Sequence, residues 1–290
     1  MILRLVALIC GVVAISAAPI KIACVGDSIT EGSGLSNPSV ESYPARLQQL
    51  FGTNAFTVRN FGVSGRTLLK QGDFPYWKEP AFTNSRNFGP DIVIIQLGTN
   101  DSKPYNWRYG TNYVRDYKEI IAIYAGLPSS PRIFLCAPCP VYGSGAYDIV
   151  PGVIRTNIAP AVRSLAAELA LPLIDLNARM TNSIWFPDTV HPNSKGAAAM
   201  ASVMFENVSG GLPDETPPPV GMQRVTSARV ILSWPAKWAG LVPQTATSII
   251  ARSANWTIIE TGIPISDGVT IRQTNTFGAN SQRYFKLARP

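Results

Sequence analysis

The 290-residue chain contains one histidine, His191. Any chemistry that uses an imidazole as general base near neutral pH has only this side chain to use. Asp188 precedes it within Phe186-Pro187-Asp188-Thr189-Val190-His191-Pro192-Asn193, close enough for a short loop to aim a carboxylate at the ring. A carboxylate on one ring nitrogen sets the tautomer and steadies the imidazolium that forms when the other nitrogen takes a proton. The natural client of such a pair is a serine hydroxyl, a weak nucleophile until an aligned base takes its proton. Gly26-Asp27-Ser28 and Gly62-Val63-Ser64-Gly65 supply hydroxyls, and Gly98-Thr99-Asn100-Asp101 is a third glycine-containing stretch. Taken singly, each stretch also reads as an ordinary turn, and Asp188 as an Asx-turn residue.

These stretches need a scaffold that brings them together. Residues 20–25 form a short apolar run that stops at Gly26, and residues 56–60 form a second that stops before Gly62. Residues 91–97 (DIVIIQL) are nearly all apolar, as expected of a central parallel strand covered on both faces. Residues 132–137 and 171–176 complete five strands. Helical spacing is read over residues 43–51, 113–125, 153–170 (with Pro160 marking a break or a fresh first turn) and 197–208, the last capped by Asn193-Ser194. The alternation implies an α/β fold: a five-stranded parallel sheet in a three-layer sandwich of flavodoxin-like order, with right-handed crossovers. In such sheets sites form at the carboxyl ends of strands, and the stretches at Ser28, Gly65 and Asn100 each follow a predicted strand.

The rest of the chain divides by composition. Arg4, an apolar run over residues 5–15 and Ser16-Ala17-Ala18 read as a signal peptide, residues 1–18, too short to span a bilayer comfortably; a buried first element is the alternative. A secreted, periplasmic or envelope-associated protein with no transmembrane segment after cleavage is therefore expected. Residues 19–209 form the α/β domain, and residues 210–221 (GGLPDETPPPVG) a linker. Residues 222–290 show period-two patterning and turn signals, suggesting a small β-sandwich-like domain. The net charge of +7 is uneven: from residue 221 onward eight basic and two acidic residues give +6, whereas residues 19–220 hold sixteen of each. A basic cleft for nucleic acid is not indicated. Cys24, Cys136 and Cys139 remain after cleavage; the Cys-x-x-Cys pair lacks the further ligands of a zinc site and reads as buried thiols or a local disulfide.

Gly26-Asp27-Ser28-Ile29-Thr30 resembles the first signature block of the SGNH (GDSL-type) hydrolases. Gly62-Val63-Ser64-Gly65-Arg66-Thr67, Gly98-Thr99-Asn100-Asp101 and Asp188-Thr189-Val190-His191-Pro192-Asn193 resemble the other three, in the family's order. The resemblance implies a serine esterase acting through an acyl-enzyme. Ser28 is its nucleophile, His191 its base and Asp188 its orienting acid; the backbone N–H groups of Ser28 and Gly65 and the Asn100 amide form its oxyanion hole. No metal or cofactor is required. Asp27 and Asp101 have no matching role and are read as loop-holding residues, and Ser64 as a rival hydroxyl without a Gly-x-Ser-x-Gly elbow.

Trp77 and Trp107, each shortly after an oxyanion stretch, are candidate stacking surfaces for sugar, with loop packing as the alternative. With the Tyr43-Pro44-Ala45-Arg46-Leu47 helix they resemble the sialate O-acetylesterase-like and carbohydrate acetylesterase branch. Small acyl esters, foremost acetyl groups on carbohydrates, are the substrates this implies, with lipid acyl esters as the rival. For the C-terminal module, Trp234, Trp238 and Trp256 suggest contact with glycan or the cell envelope, or the module is a spacer.

Overall fold

The computed structural model describes residues 19–52, 56–209, 221–225, 229–235, 242–246, 257–259, 265–266, 270–276 and 284–288. The signal-peptide reading, most of the linker, Trp238 and Trp256, and the Trp234 side chain lie outside the described residues.

Five parallel strands form the central sheet: β1 (Ile20–Gly26), β2 (Phe56–Gly62), β3 (Ile92–Gln96), β4 (Arg132–Ala137) and β5 (Leu173–Asp175), in the spatial order β2-β1-β3-β4-β5. This is the flavodoxin-like order expected from the alternation of elements. Successive strand side chains point to opposite faces, so near-continuous apolar strands feed two cores. Ile22, Cys24, Ile94, Phe134 and Ile174 are buried on one face with helices α1 (Tyr43–Phe51) and α5 (Ser194–Val208), chiefly through Tyr43, Leu47, Met200 and Met204. Ala23, Val25, Val93, Ile95 and Leu135 are buried on the other, with α2 (Pro80–Asn87), α3 (Tyr113–Ala125) and α4 (Ala159–Glu168) supplying Phe82, Tyr117, Ile121 and Val162. Each of the buried Val, Leu, Ile, Phe and Met side chains contributes about 1.5–3 kcal/mol through burial.

The helix read over residues 153–170 is interrupted as Pro160 required. Ile154–Ile158 is a π-helical turn and α4 begins after it, because the proline ring carries no N–H to continue the ladder. The Asn193 side chain caps α5 by accepting from the Gly196 N–H at 3.0 Å.

The C-terminal part contains β6 (Gly221–Arg224), β7 (Arg229–Pro235), β8 (Val242–Ala246), β9 (Thr257–Ile258), β10 (Ile265–Ser266), β11 (Thr270–Thr276) and β12 (Tyr284–Ala288). They form two antiparallel sheets, ordered β10-β11-β7-β6 and β12-β8-β9. Gly221, expected to close the linker, instead opens β6, paired with Ser233. Val230, Leu232 and Ile259 are buried in the same cluster as Phe51, Phe205 and Val208 of α1 and α5.

What positions the loops is the common end point of the first three strands. Gly26 pairs with Gly62 on one side and with Gln96 on the other. All three loops therefore leave the sheet at the same level. The helical turn Ser28–Glu31 then lies so close over β2 that a Cβ on Gly62 would stand 2.2 Å from the Glu31 backbone nitrogen. Thr30 ties the same turn to its neighbours: its hydroxyl lies 3.0 Å from the Tyr43 hydroxyl and donates to Gln96 Oε1 at 3.1 Å. A methyl group at position 62 must displace backbone, so Gly62→Ala is expected to destabilise the protein by about 1–3 kcal/mol. Urea denaturation measures this; an unchanged midpoint would show that the turn does not rest on β2.

Candidate active site

The loop 186–193 is built around one carboxylate. Asp188 Oδ1 accepts the backbone N–H groups of Val190 at 3.0 Å and His191 at 2.6 Å, while Thr189 takes a left-handed φ of 73°. The remaining oxygen, Oδ2, lies 2.7 Å from His191 Nδ1. Asp188 is thus both an Asx-turn residue and the partner of the imidazole. On the far side of the ring, His191 Nε2 lies 2.8 Å from Ser28 Oγ. With the proton on Nδ1, held by the carboxylate, Nε2 is the lone pair that accepts from the serine. Burial alone would raise the Asp188 carboxyl. The His191 backbone N–H, the ring, and the Val190 N–H outweigh it and hold the group below the usual carboxylate range.

Ser28 is 4% exposed and begins the turn that Asp27 caps by accepting from Ile29 N–H at 3.0 Å. It lines a cleft of about 310 Å³ with Gly65, Thr99, Asn100, Asp188 and His191. Gly65 has φ 80°, and a Cβ there would meet nothing within 4 Å, so backbone conformation selects glycine at this position. Asn100 uses its side-chain amide once, donating to the Arg66 carbonyl at 3.2 Å, which leaves its second N–H available. Its own carbonyl accepts from Asn106 Nδ2 at 2.9 Å, and Asn106 also holds Asp73, so the two loops are cross-braced. Ser64 lines the cleft but is exposed, and the imidazole engages Ser28.

Residues 24–199 match the family described as GDSL-like Lipase/Acylhydrolase. The chain belongs to this family. It is similar to an acetylxylan esterase of Xylanibacter ruminicola, 40% identical over 204 residues covering 64% of this chain and 42% of the relative. The chain therefore spans under half the length of that relative. Among solved structures, the inhibitor-bound aryl esterase of M. smegmatis is similar over 67% of this chain and 100% of its own, with a TM-score of 0.55 and 22% identity. A two-domain esterase active on acetylated mannans, co-crystallized with mannopentaose, is similar over 93% of this chain and 89% of its own, with a TM-score of 0.50 and 16% identity. At those identities the likeness is one of fold.

In this GDSL-family chain the two tryptophans expected to stack on substrate do not line the cleft. Trp77 donates its indole N–H to the Leu68 carbonyl at 2.6 Å and packs edge-on against Phe82 at 5.5 Å. Trp107 packs 5.8 Å from the Tyr113 ring and lies under Gly110. Both are half-buried loop-packing residues, the alternative weighed for them. The aromatic that does reach the site is Tyr147. Its hydroxyl donates to Asp188 Oδ2 at 3.1 Å, and its ring meets the His191 ring edge-on at 5.3 Å. Spacing could not tie it to Asp188, although a tyrosine in the glycine-containing loop after β4 stands at the right end of the sheet. Lys103 also lines the cleft. The three thiols Cys24, Cys136 and Cys139 are buried and unbridged, and burial raises them all. Among the described residues, no group of three or more His, Cys, Asp or Glu side chains is arranged to hold a metal ion.

Two further carboxylates lie fully buried behind the cleft. Asp101 accepts the backbone N–H groups of Leu68 at 3.0 Å and Leu69 at 2.7 Å, fastening the stretch after Gly65. Burial pushes its carboxyl up to about 7, against those two bonds, and the nearby Asp27 adds to the rise. Burial likewise pushes Asp27 up to about 6, opposed first by the Ile29 N–H. The Thr99 hydroxyl is near enough to favour the ionised form of Asp27, but it is not aligned as a hydrogen bond, and Asp27 Oδ2 is buried without a partner.

An unfolded carboxyl titrates near pH 4, so between about pH 4 and 7 the folded chain holds protons that the unfolded chain has released. These two groups therefore lower stability as pH rises through that window. Asp188, whose folded value is depressed, acts below it and in the opposite sense. Asp27→Asn should flatten the decline, since an amide keeps the acceptor for Ile29 and cannot ionise. Thermal unfolding of both proteins at pH 5, 6 and 7 tests this; parallel profiles would rule it out.

Proposed function

We propose that this chain is a serine esterase that removes small acyl groups, foremost acetyl, from carbohydrates through an acyl-enzyme. The observation that carries the reading is the continuous chain from Ser28 Oγ through the His191 ring to Asp188, with links of 2.8 and 2.7 Å. Ser28 Oγ attacks the ester carbonyl as His191 Nε2 takes its proton, and Asp188 steadies the resulting imidazolium. Negative charge gathers on the former carbonyl oxygen. The backbone N–H groups of Ser28 and Gly65 and the second Asn100 N–H stabilise it, each donor contributing about 3 kcal/mol. His191 then protonates the leaving alcohol. Water, deprotonated by the same nitrogen, attacks the acyl-serine and releases the acid.

The size of the cleft supports a short acyl group. At about 310 Å³ it is lined mostly by serine, glycine, threonine, asparagine and charged side chains, with Ile149 and Val190 its aliphatic members. That lining offers little apolar surface to a long acyl tail. The similarity to an acetylxylan esterase supports a carbohydrate as the alcohol, and the composition of residues 1–18 supports export.

The test is acetate release by the purified chain from acetylated xylo-oligosaccharides and from an aryl acetate. Ser28→Ala should lower turnover by at least about 10⁴-fold on both, with an unchanged circular dichroism spectrum. Wild-type rates in that variant would overturn the nucleophile. Faster hydrolysis of an aryl octanoate than of the acetate would overturn the short-acyl assignment.

A further inference from the structure

Beside the catalytic cleft lies a second, open cavity of about 590 Å³ that shares Tyr147 and Ile149 with it. Its other walls include Tyr105, Ser144 and Asp148. A ligand filling the first cavity can therefore run on into the second past Tyr147. Tyr147 and Tyr105 are exposed, at 59% and 42%. Two aromatic rings left in water on the wall of one cavity are a surface for flat apolar faces.

The loop that presents Tyr147 is strained and held. Tyr147 and Asp148 both take left-handed backbone, with φ 57° and 61°, which L side chains adopt at a cost. The Tyr147 hydroxyl bond to Asp188 and the edge-on contact with His191 keep the ring in place. Asp148 gives the cavity wall one acidic side chain. Desolvation raises the Tyr105 phenol, and the carboxylates of Asp73 and Asp148 add to the rise, so both stand within electrostatic range of it. Carboxylates next to exposed rings accept hydrogen bonds from hydroxyl groups and repel anions. That combination suits a neutral sugar ring, which offers an apolar C–H face and a hydroxyl edge.

We propose that Tyr105 and Tyr147 form a binding subsite for an uncharged glycosyl residue next to the one that carries the ester. The subsite rests on the carbohydrate reading above and makes the preferred substrate an oligosaccharide rather than an acetylated monosaccharide. Tyr147 is also a positioning residue, acting on the imidazole through Asp188.

Binding and turnover are measured separately on the full chain. Calorimetry with unacetylated xylo- and manno-oligosaccharides should show binding to the Ser28→Ala protein and an affinity about tenfold lower when Tyr105→Ala or Tyr147→Ala is added. For hydrolysis, the ratio of kcat/KM on acetylated xylotriose to that on an aryl acetate should fall about tenfold in Tyr105→Ala, mainly through KM. Tyr147→Phe keeps the ring, so it should hold that ratio and lower kcat on both substrates. No binding of either neutral oligosaccharide, or ratios and affinities unchanged in both alanine variants, would overturn the subsite. An esterase that binds these sugars through Tyr105 yet releases no acetate from their acetylated forms would retain the subsite and overturn the sugar-ester assignment instead.

Discussion

Between Gly62 at the end of the second strand and the helical turn that begins at Ser28 there is no room for a methyl group. That closeness is the constraint from which the site follows. Strands β1, β2 and β3 end in register at Gly26, Gly62 and Gln96, so the chain must turn out of the sheet at one level in three neighbouring places. Parallel pairing makes this possible, because all three loops then leave from the same edge. A serine, a backbone N–H in left-handed conformation and an amide are thereby brought around one cleft, though they are remote in sequence.

Three aspartates around this edge show how environment divides one side chain into different tasks. Asp188 is partly exposed, takes two backbone N–H groups on one oxygen and a ring nitrogen on the other, and stays ionised below the usual range. Asp101 takes two backbone N–H groups as well, but it is fully buried, so desolvation dominates. Asp27 accepts one N–H and is raised for the same reason. The first carboxylate is suited to stabilise a positive charge that comes and goes. The other two hold loops in place and carry a pH dependence as a consequence of where they sit.

Tyr147 adds a link between the Asp188–His191 pair and the surface around it. Its ring faces the open cavity while its hydroxyl holds the carboxylate that orients His191. A residue fixed from both ends in a strained backbone region ties the shape of the surface to the geometry of Asp188 and His191. In the loop after β3, the Asn100, Asn106 and Asp73 bonds brace the Asn100 amide in a comparable way.

Much of this arrangement is legible in the residues alone. Short, nearly continuous apolar runs and helical spacing mark the five strands and their crossovers, because burial on both faces leaves little choice of composition. A single histidine with an aspartate close before it restricts the imidazole chemistry to one loop, and glycines at strand ends mark where the other groups lie. Tertiary structure alone decided which exposed rings are free. Trp77 and Trp107 follow the right loops in sequence, but a carbonyl and an apolar layer claim them, whereas Tyr147 reaches the site from a loop 41 residues before Asp188. The difference is physical. Strand and helix patterns record which way a side chain points relative to its own element, but whether an aromatic ring is covered or left to water depends on distant segments.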